Sequence, residues 1–459
     1  MLTHRIVMIC ACIAVLGRTM SAQTPSPLPS VAVTPTNILL PNYSGVPIGE
    51  IGGLEVGAFL ARADDSSSVF YNPAGLTRAE KTSVSGTAGL FQFGGVSADA
   101  VGESARSFQQ VPAMFAFVLK DFLGRSNVAA GLSVARTTAW HQAVDFARTT
   151  QTGTTVDRLS YSSDARLDSW MASLGLGYAS AGRWRAGFSI DTQFTSSERR
   201  QAVADQYRAP SGLSALSVSS RSEADTAHLR FTAGAQYELT PSWIAAAVVR
   251  TRGLGIRSTG LAMLEGVSGG GTSTTTGSFF DDNPEASYRI PMEFKTGLAY
   301  VGSRGQAEFD LLTFSGTGEY LAYTTTKPVT VVTGASTGTL PSAVDYTAAP
   351  PTIDSTGVIN VALGGQLKLK SDGSWVVHGG YGTDRSPVGP NDTVFTKVDL
   401  KKITAGISGR TTHFLGSIGV QYLAGESDPI PLRDLPAGQV TTSFKVSSVG
   451  FIYSLSVLF

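Results

Sequence analysis

Four histidines follow residue 22: His141, His228, His378 and His413. No two of them stand at metal-ligand spacing, and a zinc or iron site needs ligands gathered from short, recurring intervals. The only cysteines, Cys10 and Cys12, lie within the first 22 residues. The rest of the chain therefore offers no thiolate ligand, no Cys nucleophile and no disulfide. His228 and His378 fall at positions that face an interior in the pattern described below, but no serine stands out as a nucleophile beside either. The reading is of a protein without catalytic residues, metal or cofactor. One short run does carry stereochemical content: Asn72-Pro73-Ala74-Gly75. The proline holds Asn72 out of the helical region, the Asn amide is free to bond nearby backbone, and Ala74 and Gly75 are small enough to press against a wall. These four residues are the candidate gating corner.

The elements that would position such a corner follow from composition and periodicity. The chain has 459 residues with 35 basic and 35 acidic side chains, so its formal charge is zero. That removes the electrostatic basis for binding nucleic acid. Only 15% of residues are charged, while glycine numbers 51; too few charges are present to solvate several separate globular surfaces. After residue 22 no run approaches the ~18 consecutive apolar residues of a spanning helix. His4 and Arg5 precede an apolar run from Ile6 to Leu16, and Met20-Ser21-Ala22 supplies a small residue before a cut, so residues 1–22 read as a secretory signal peptide. Residues 23–50, with Pro25, Pro27, Pro29, Pro35, Pro41 and Pro47 in a polar background, read as an extended periplasmic tether. Residues 51–80 read as one or two short helices, an acidic turn at Asp64-Asp65 and the Asn-Pro corner.

From about residue 81 the hydrophobic period is two. Ile359, Val361, Leu363, Leu367 and Leu369 alternate with Asn360, Ala362, Gln366, Lys368 and Lys370, one face apolar and the other polar. Leu229 to Leu239 and Tyr288 to Tyr300 show the same split, the latter placing Tyr288, Ile290, Met292, Phe294, Leu298 and Tyr300 on its apolar face. Fourteen such segments can be counted, joined alternately by short turns and by long Ser/Thr/Gly-rich loops such as 198–225, 254–285 and 324–356. An even number of alternating strands with turns at one end and long loops at the other is the layout of a transmembrane antiparallel β-barrel, an all-β fold of the bacterial outer membrane. Trp184, Trp243 and Trp375 open strands just after short turns, and Tyr178, Tyr237 and Tyr300 come just before them, as in an interfacial girdle. The alternation Val449, Phe451, Tyr453, Leu455, Val457, Phe459 ends the chain on an aromatic residue, similar to the terminal strand that barrel assembly machinery reads.

Hydrocarbon has no water to satisfy a sheet edge, so the sheet must close, and fourteen strands enclose more room than side chains alone fill. Inward positions Arg185, Asp191, Arg230, Glu238, Glu293, Lys295, Glu308, Asp310 and Lys368 carry mixed signs, which predicts ion pairs that brace the wall and hold a plug. On the second strand Met114, Ala116 and Val118 take the lumen face, either as an apolar passage or as packing against that plug. Leu254, Leu261, Met263, Leu264, Tyr320, Leu321 and Tyr323 are apolar positions in or beside the outer loops, available for ligand capture or for packing the loops together.

The run Ala61-Arg62-Ala63-Asp64-Asp65-Ser66-Ser67-Ser68-Val69-Phe70-Tyr71-Asn72-Pro73-Ala74-Gly75-Leu76 resembles the N-terminal hatch of the FadL family of outer-membrane transporters for long-chain fatty acids and aromatic hydrocarbons. The stretch Gly379-Gly380-Tyr381-Gly382-Thr383-Asp384-Arg385-Ser386-Pro387-Val388 is similar to that family's late-barrel segment ending in Ser-Pro-Val. The resemblance implies a monomeric fourteen-stranded barrel with its N-terminal hatch inside the lumen. It would pass a hydrophobic small molecule or lipid by passive, hatch-gated diffusion, amid outer-membrane lipids and lipopolysaccharide. It also implies sideways release near a kinked third strand, here about residues 128–140 with Gly131 as the candidate kink. The alternatives are a general diffusion porin, or a FadL-like barrel that docks or shuttles for a secretion system, a role that the Pro-rich lead would suit.

Overall fold

In the computed structural model the described residues are 37–38, 42–43, 48–98, 103–210, 212–270, 273–324, 328–335, 342–347, 353–389, 395–435 and 438–459. The leader and most of the Pro-rich stretch lie outside them. Fourteen strands form the wall: β1 (Ser83–Ala98), β2 (Glu103–Leu119), β3 (Val128–Thr152), β4 (Thr155–Ala179), β5 (Trp184–Ala209), β6 (Gly212–Thr240), β7 (Trp243–Arg250), β8 (Glu293–Val301), β9 (Gly305–Phe314), β10 (Val358–Lys368), β11 (Trp375–Asp384), β12 (Val398–Arg410), β13 (Phe414–Ser427) and β14 (Phe444–Leu458). Each pairs antiparallel with the next, and β14 closes on β1 from Ser83↔Leu458 to Ala98↔Phe444. No ladder edge is left at the level where the wall meets lipid, as a hydrocarbon solvent demands.

The alternation sorts side chains as the sequence implies. Leu174, Phe188, Ile190, Phe294, Leu363 and Ile418 are all more than two-fifths exposed on the outer face, whereas Ser173, Ser189, Asp191, Ala362 and Ser417 are buried inside. An apolar band running round the whole wall is far larger than the patches a soluble monomer leaves in water, and it is the surface that acyl chains cover. At the short-turn end Tyr178 packs 5.7 Å from Trp184 and Trp243 packs 5.4 Å from Tyr300, with Tyr237 and Trp375 also turned outward.

At the other end the structure departs from the sequence reading. Residues 198–225 are not a loop: β5 and β6 stay paired from Trp184↔Tyr237 to Ala209↔Gly212. Residues 254–285 likewise hold two strands, Leu254–Gly270 and Ser273–Asp281, the first of which continues along β6 beyond the end of β7. Pro328–Ala335 and Ser342–Thr347 extend this sheet further. Crossing a bilayer takes ~9–11 residues, so most of β6 stands in water, where both faces are wet and the apolar alternation that marks a membrane strand vanishes. The apolar face assigned to Tyr288–Tyr300 also needs correction. Pro291 cannot donate to a ladder, the strand stops at Tyr288 and restarts at Glu293, and Tyr288 and Ile290 turn inward to a cluster with Leu167, Ala224, Ala286 and Val388.

Candidate functional site

Residues 42–43 and 48–78 occupy the lumen. Asn42 and Tyr43 belong to the stretch read above as a periplasmic tether, and they lie at the long-hairpin end. The Asn42 amide donates to the carbonyls of Asp384 (2.6 Å) and Val398 (3.1 Å), and the Tyr43 ring stacks on Phe314 at 5.0 Å. The chain then sweeps round the inner wall. Leu54 lies over Gly406 and Gly419, Glu55 over Gly364 and Gly380, Val56 over Gly382, and Leu60 over Gly297. Asn72 meets Gly234, Pro73 meets Gly187, and Leu76 reaches Gly175 and Gly131. The wall thus provides a track of missing side chains in which a second backbone is seated. A short 3-10 turn (Gly52–Glu55), one turn of α-helix (Ser68–Tyr71) and a second 3-10 turn (Pro73–Arg78) make up this plug.

The Asn-Pro corner is pinned on three sides. Asn72 caps the turn that follows by accepting from Ala74 N (3.1 Å), and its amide donates to Leu60 O (3.0 Å) and Ala235 O (3.2 Å). One side chain therefore ties two parts of the plug to β6. A β-carbon added at Gly187 would fall on the backbone between Pro73 and Ala74, and one added at Gly75 on the Ala63 carbonyl. Asn72, Pro73, Ala74 and Gly75 are all buried. The Pro-fixed backbone is what fits the groove, which is how sequence could find it.

A second anchorage is ionic, and half of it escaped the sequence reading. Glu308 on β9 accepts from the backbone of Ala61 (2.6 Å) and Arg62 (3.1 Å) and from the Arg62 guanidinium (2.9 Å). Asp310 accepts from Phe59 N at 3.1 Å. Arg62 also pairs with Glu55, whose other oxygen bonds His378 Nδ1 at 2.8 Å, while His378 Nε2 meets Ser408 Oγ at 2.8 Å. Glu55, His378 and Ser408 thus stand in the order of acid, base and nucleophile. Ser408 is the partner that the sequence did not single out, since 30 residues separate it from His378 and only the β11–β12 pairing brings them together. All three are buried; Glu55, shared with Arg62, fastens plug to wall through His378, while the His378–Ser408 bond joins two wall strands. Removing one member of a buried charge pair costs ~3–5 kcal/mol. Glu55→Ala is expected to raise the open fraction of purified protein in planar bilayers, whereas Ser408→Ala leaves it unchanged. Equal effects would reject the latch assignment.

Val56, just after Glu55, has φ 56° and ψ 23°. A β-branched residue there carries strain of ~1–3 kcal/mol, offset by the socket at Gly382 and by the latch beside it. Further round, Arg230 and Arg250 flank Glu293 at 2.8 and 3.3 Å, Lys295 joins at 2.7 Å, and Arg250 donates to Phe70 O at 2.6 Å. Arg185 pairs with Glu238 at 2.8 Å. Arg185, Asp191, Arg230, Glu238, Glu293 and Lys295 thus take part in ion pairs within the wall, and Glu308 pairs with the plug.

The plug carries acids of its own. Burial, opposed by Arg78 and reinforced by Asp65, pushes the Asp64 carboxyl from its ordinary 3.8 up to about 7. Burial, with Asp65 beside it, also raises Glu50. A seated plug therefore holds protons more tightly than a released one. Seating is strongest at low pH and weakens as pH climbs from about 4 towards about 7, with no further loss from Asp64 above that. The expected result is a channel whose open fraction rises over this interval and then levels off, with a shallower rise in Asp64→Asn. An unchanged slope in that variant would refute the linkage.

Met114, Ala116 and Val118 do face the lumen, where they cluster with the plug: Met114 and Ala116 share a buried cluster with Ile48, and Val118 shares one with Val69, Leu76 and Ala79. Gly131 is not a kink. It pairs in continuous register with Val118 and Gly175, and a β-carbon there would lie 2.7 Å from Leu76 Cδ2. The irregularity in β3 falls at Arg136–Thr138. Among the described residues β3 pairs with β2 only from Leu119↔Ala130 to Met114↔Ala135 and with β4 as far as Thr152↔Thr155, so the β2–β3 seam ends where that irregularity begins. In the Gly379–Val388 motif, Gly380 and Gly382 seat Glu55 and Val56. Its Ser-Pro-Val end closes an outer connection through Ser386 N to Asp399 (2.9 Å) and Thr356 N to Pro387 O (2.7 Å). Leu254, Leu261, Met263 and Leu264 lie on the strand that continues along β6, while the side chains of Tyr320, Leu321 and Tyr323 lie outside the described residues.

No family model and no curated protein matches this chain. Solved structures do. The CymD monoaromatic hydrocarbon channel aligns over 92% of this chain and 99% of its own with a TM-score of 0.57 at 13% identity. A Pseudomonas aeruginosa FadL homologue and the Ralstonia pickettii toluene transporter TbuX each align over 91% of this chain and 99% of theirs, with TM-scores of 0.56 at 13% identity. This chain has the FadL-type fold.

Proposed function

We propose that this protein sits in the bacterial outer membrane, short turns to the periplasm, and passes hydrophobic small molecules inward by passive diffusion gated by the plug. The cargo class is long-chain fatty acids or aromatic hydrocarbons, and no reaction is catalysed. The observation that carries this reading is the division of the inner wall. Buried charges line β5 to β9 and the β11–β12 seam at Asp384 and Lys402, while the wall beneath Ile48, Val69 and Leu76 is lined by Met114, Ala116, Val118, Ala129 and Ala135. Lifting the plug there uncovers an apolar strip rather than the ring of like charges that an ion pore uses. The strip runs up to Ala135, where β2–β3 pairing stops, so the same displacement gives cargo a sideways path into the bilayer. Neighbours in fold described as a monoaromatic hydrocarbon channel and a toluene transporter support the cargo class.

Uptake of labelled oleate and toluene by a deletion strain, with and without the gene restored, tests the reading. Uptake that falls on deletion and returns on restoration supports it. Unchanged uptake of every apolar compound tried, together with loss of exported proteins, would replace it with a docking role in secretion.

A further inference from the structure

We infer that the chain N-terminal to Asn37 leaves the barrel through its outer mouth, so that the Pro-rich arm is displayed on the cell surface and not in the periplasm. The direction of the described residues carries this. Asn37–Ile38 pair in parallel with Phe395–Thr396, which belong to the long-hairpin connection between β11 and β12 and lead directly into an inward-running strand. Asn42 is held by the last residue of β11 and the first of β12. Tyr43 stacks on the last residue of β9. Further along, Ser417, near the start of β13, donates to Glu50 O at 3.4 Å. Beyond the plug, Lys81 reaches Thr412 O at 3.0 Å in the turn joining β12 to β13. The described residues between Asn37 and Lys81 therefore pass from the long-hairpin mouth to the short-turn end.

For residues 23–36 to reach the periplasm they would have to double back through a lumen already filled by residues 48–78. That second passage would need anchors. The described inner wall anchors its plug through the ion pairs and carboxylate bonds of Glu55, Arg62, Glu308 and Asp310, and residues 23–36 contain no charged residue. They therefore bring none of the ionic anchors by which the described plug is held.

The inference rests on the orientation proposed above, and the experiment separates the two. Both native cysteines lie in the leader, so the mature chain supplies no thiol of its own, and the unsubstituted protein serves as the blank. Three single variants, Ser26→Cys, Thr154→Cys in the β3–β4 hairpin and Asp372→Cys in a short turn, are treated in intact cells with a polymer-linked maleimide too large for general porins. The expected result is that Ser26→Cys labels as fully as Thr154→Cys, while Asp372→Cys labels only after the outer membrane is permeabilised. If Thr154→Cys labels in intact cells but Ser26→Cys does not, the arm is not displayed and the inference is overturned. If Thr154→Cys and Asp372→Cys exchange behaviour, the orientation fails and surface display fails with it.

Discussion

Gly187→Val is expected to convert a plugged barrel into an open one while the wall still assembles. The added side chain would occupy the place of the Pro73–Ala74 backbone. Backbone cannot rotate out of the way as a flexible side chain would, and overpacking of this kind costs ~1–3 kcal/mol. That is enough to shift the balance between seated and released plug by roughly 5- to 150-fold. Single-channel recording should show conductance steps absent from the parent. Heat-modifiable gel mobility should be unchanged, because the closure from β14 to β1 does not involve this residue. Gly416→Val, where only the Ser454 carbonyl comes within 4 Å of the new β-carbon, at 3.9 Å, is the control and should stay closed. Parent-like recordings from Gly187→Val would mean that the corner is not what stoppers the lumen.

An effect of similar size is expected on assembly when a cation is placed on the wrong face of β10. Leu363 is 52% exposed on the lipid side, and Gln366, three positions on, faces the lumen beside Gln306 and His378. An arginine at mid-bilayer costs ~2–4 kcal/mol in barrels of this kind, while one in a polar lumen has partners and water. Leu363→Arg should therefore lose the compact, heat-modifiable form, and Gln366→Arg should keep it. Identical behaviour of the pair would contradict the facing of the entire strand, since a one-residue slip moves every side chain across the sheet.

Much of the wall is legible in the sequence because lipid imposes a rule that each residue must obey locally. Ile359 to Lys370 announces its two faces without reference to any neighbour. Above the membrane that rule lapses, so Glu198 to Asp225, which belongs to one of the longest hairpins in the protein, carries no alternation and reads as loop. The plug is legible only in part, for a related reason. Pro73 has a fixed φ that sequence reveals directly, whereas the match of Asn72 to Gly234, or of Glu55 to His378, depends on strands 162 and 323 residues away in the chain. Gly131 shows the limit well. A glycine in a strand signals either a bend or a close approach, and only the position of Leu76 decides which.

That remoteness bears on how the protein is made. The contacts Leu54–Thr404 and Glu55–His378 close loops of 350 and 323 residues, and the entropy of closing them must be met before those contacts return anything. Synthesis delivers residues 48–78 first and their seats on β11, β12 and β13 near the end. A fully sealed cylinder would leave no side entry for a segment so tightly housed, so the late strands must be laid around it. The N-terminal segment is thus a mandrel as well as a stopper. Lesions at Glu55 or Leu54 should slow maturation of the nascent barrel, seen as a longer-lived unsealed intermediate in pulse-chase, even where the finished molecule is no less stable.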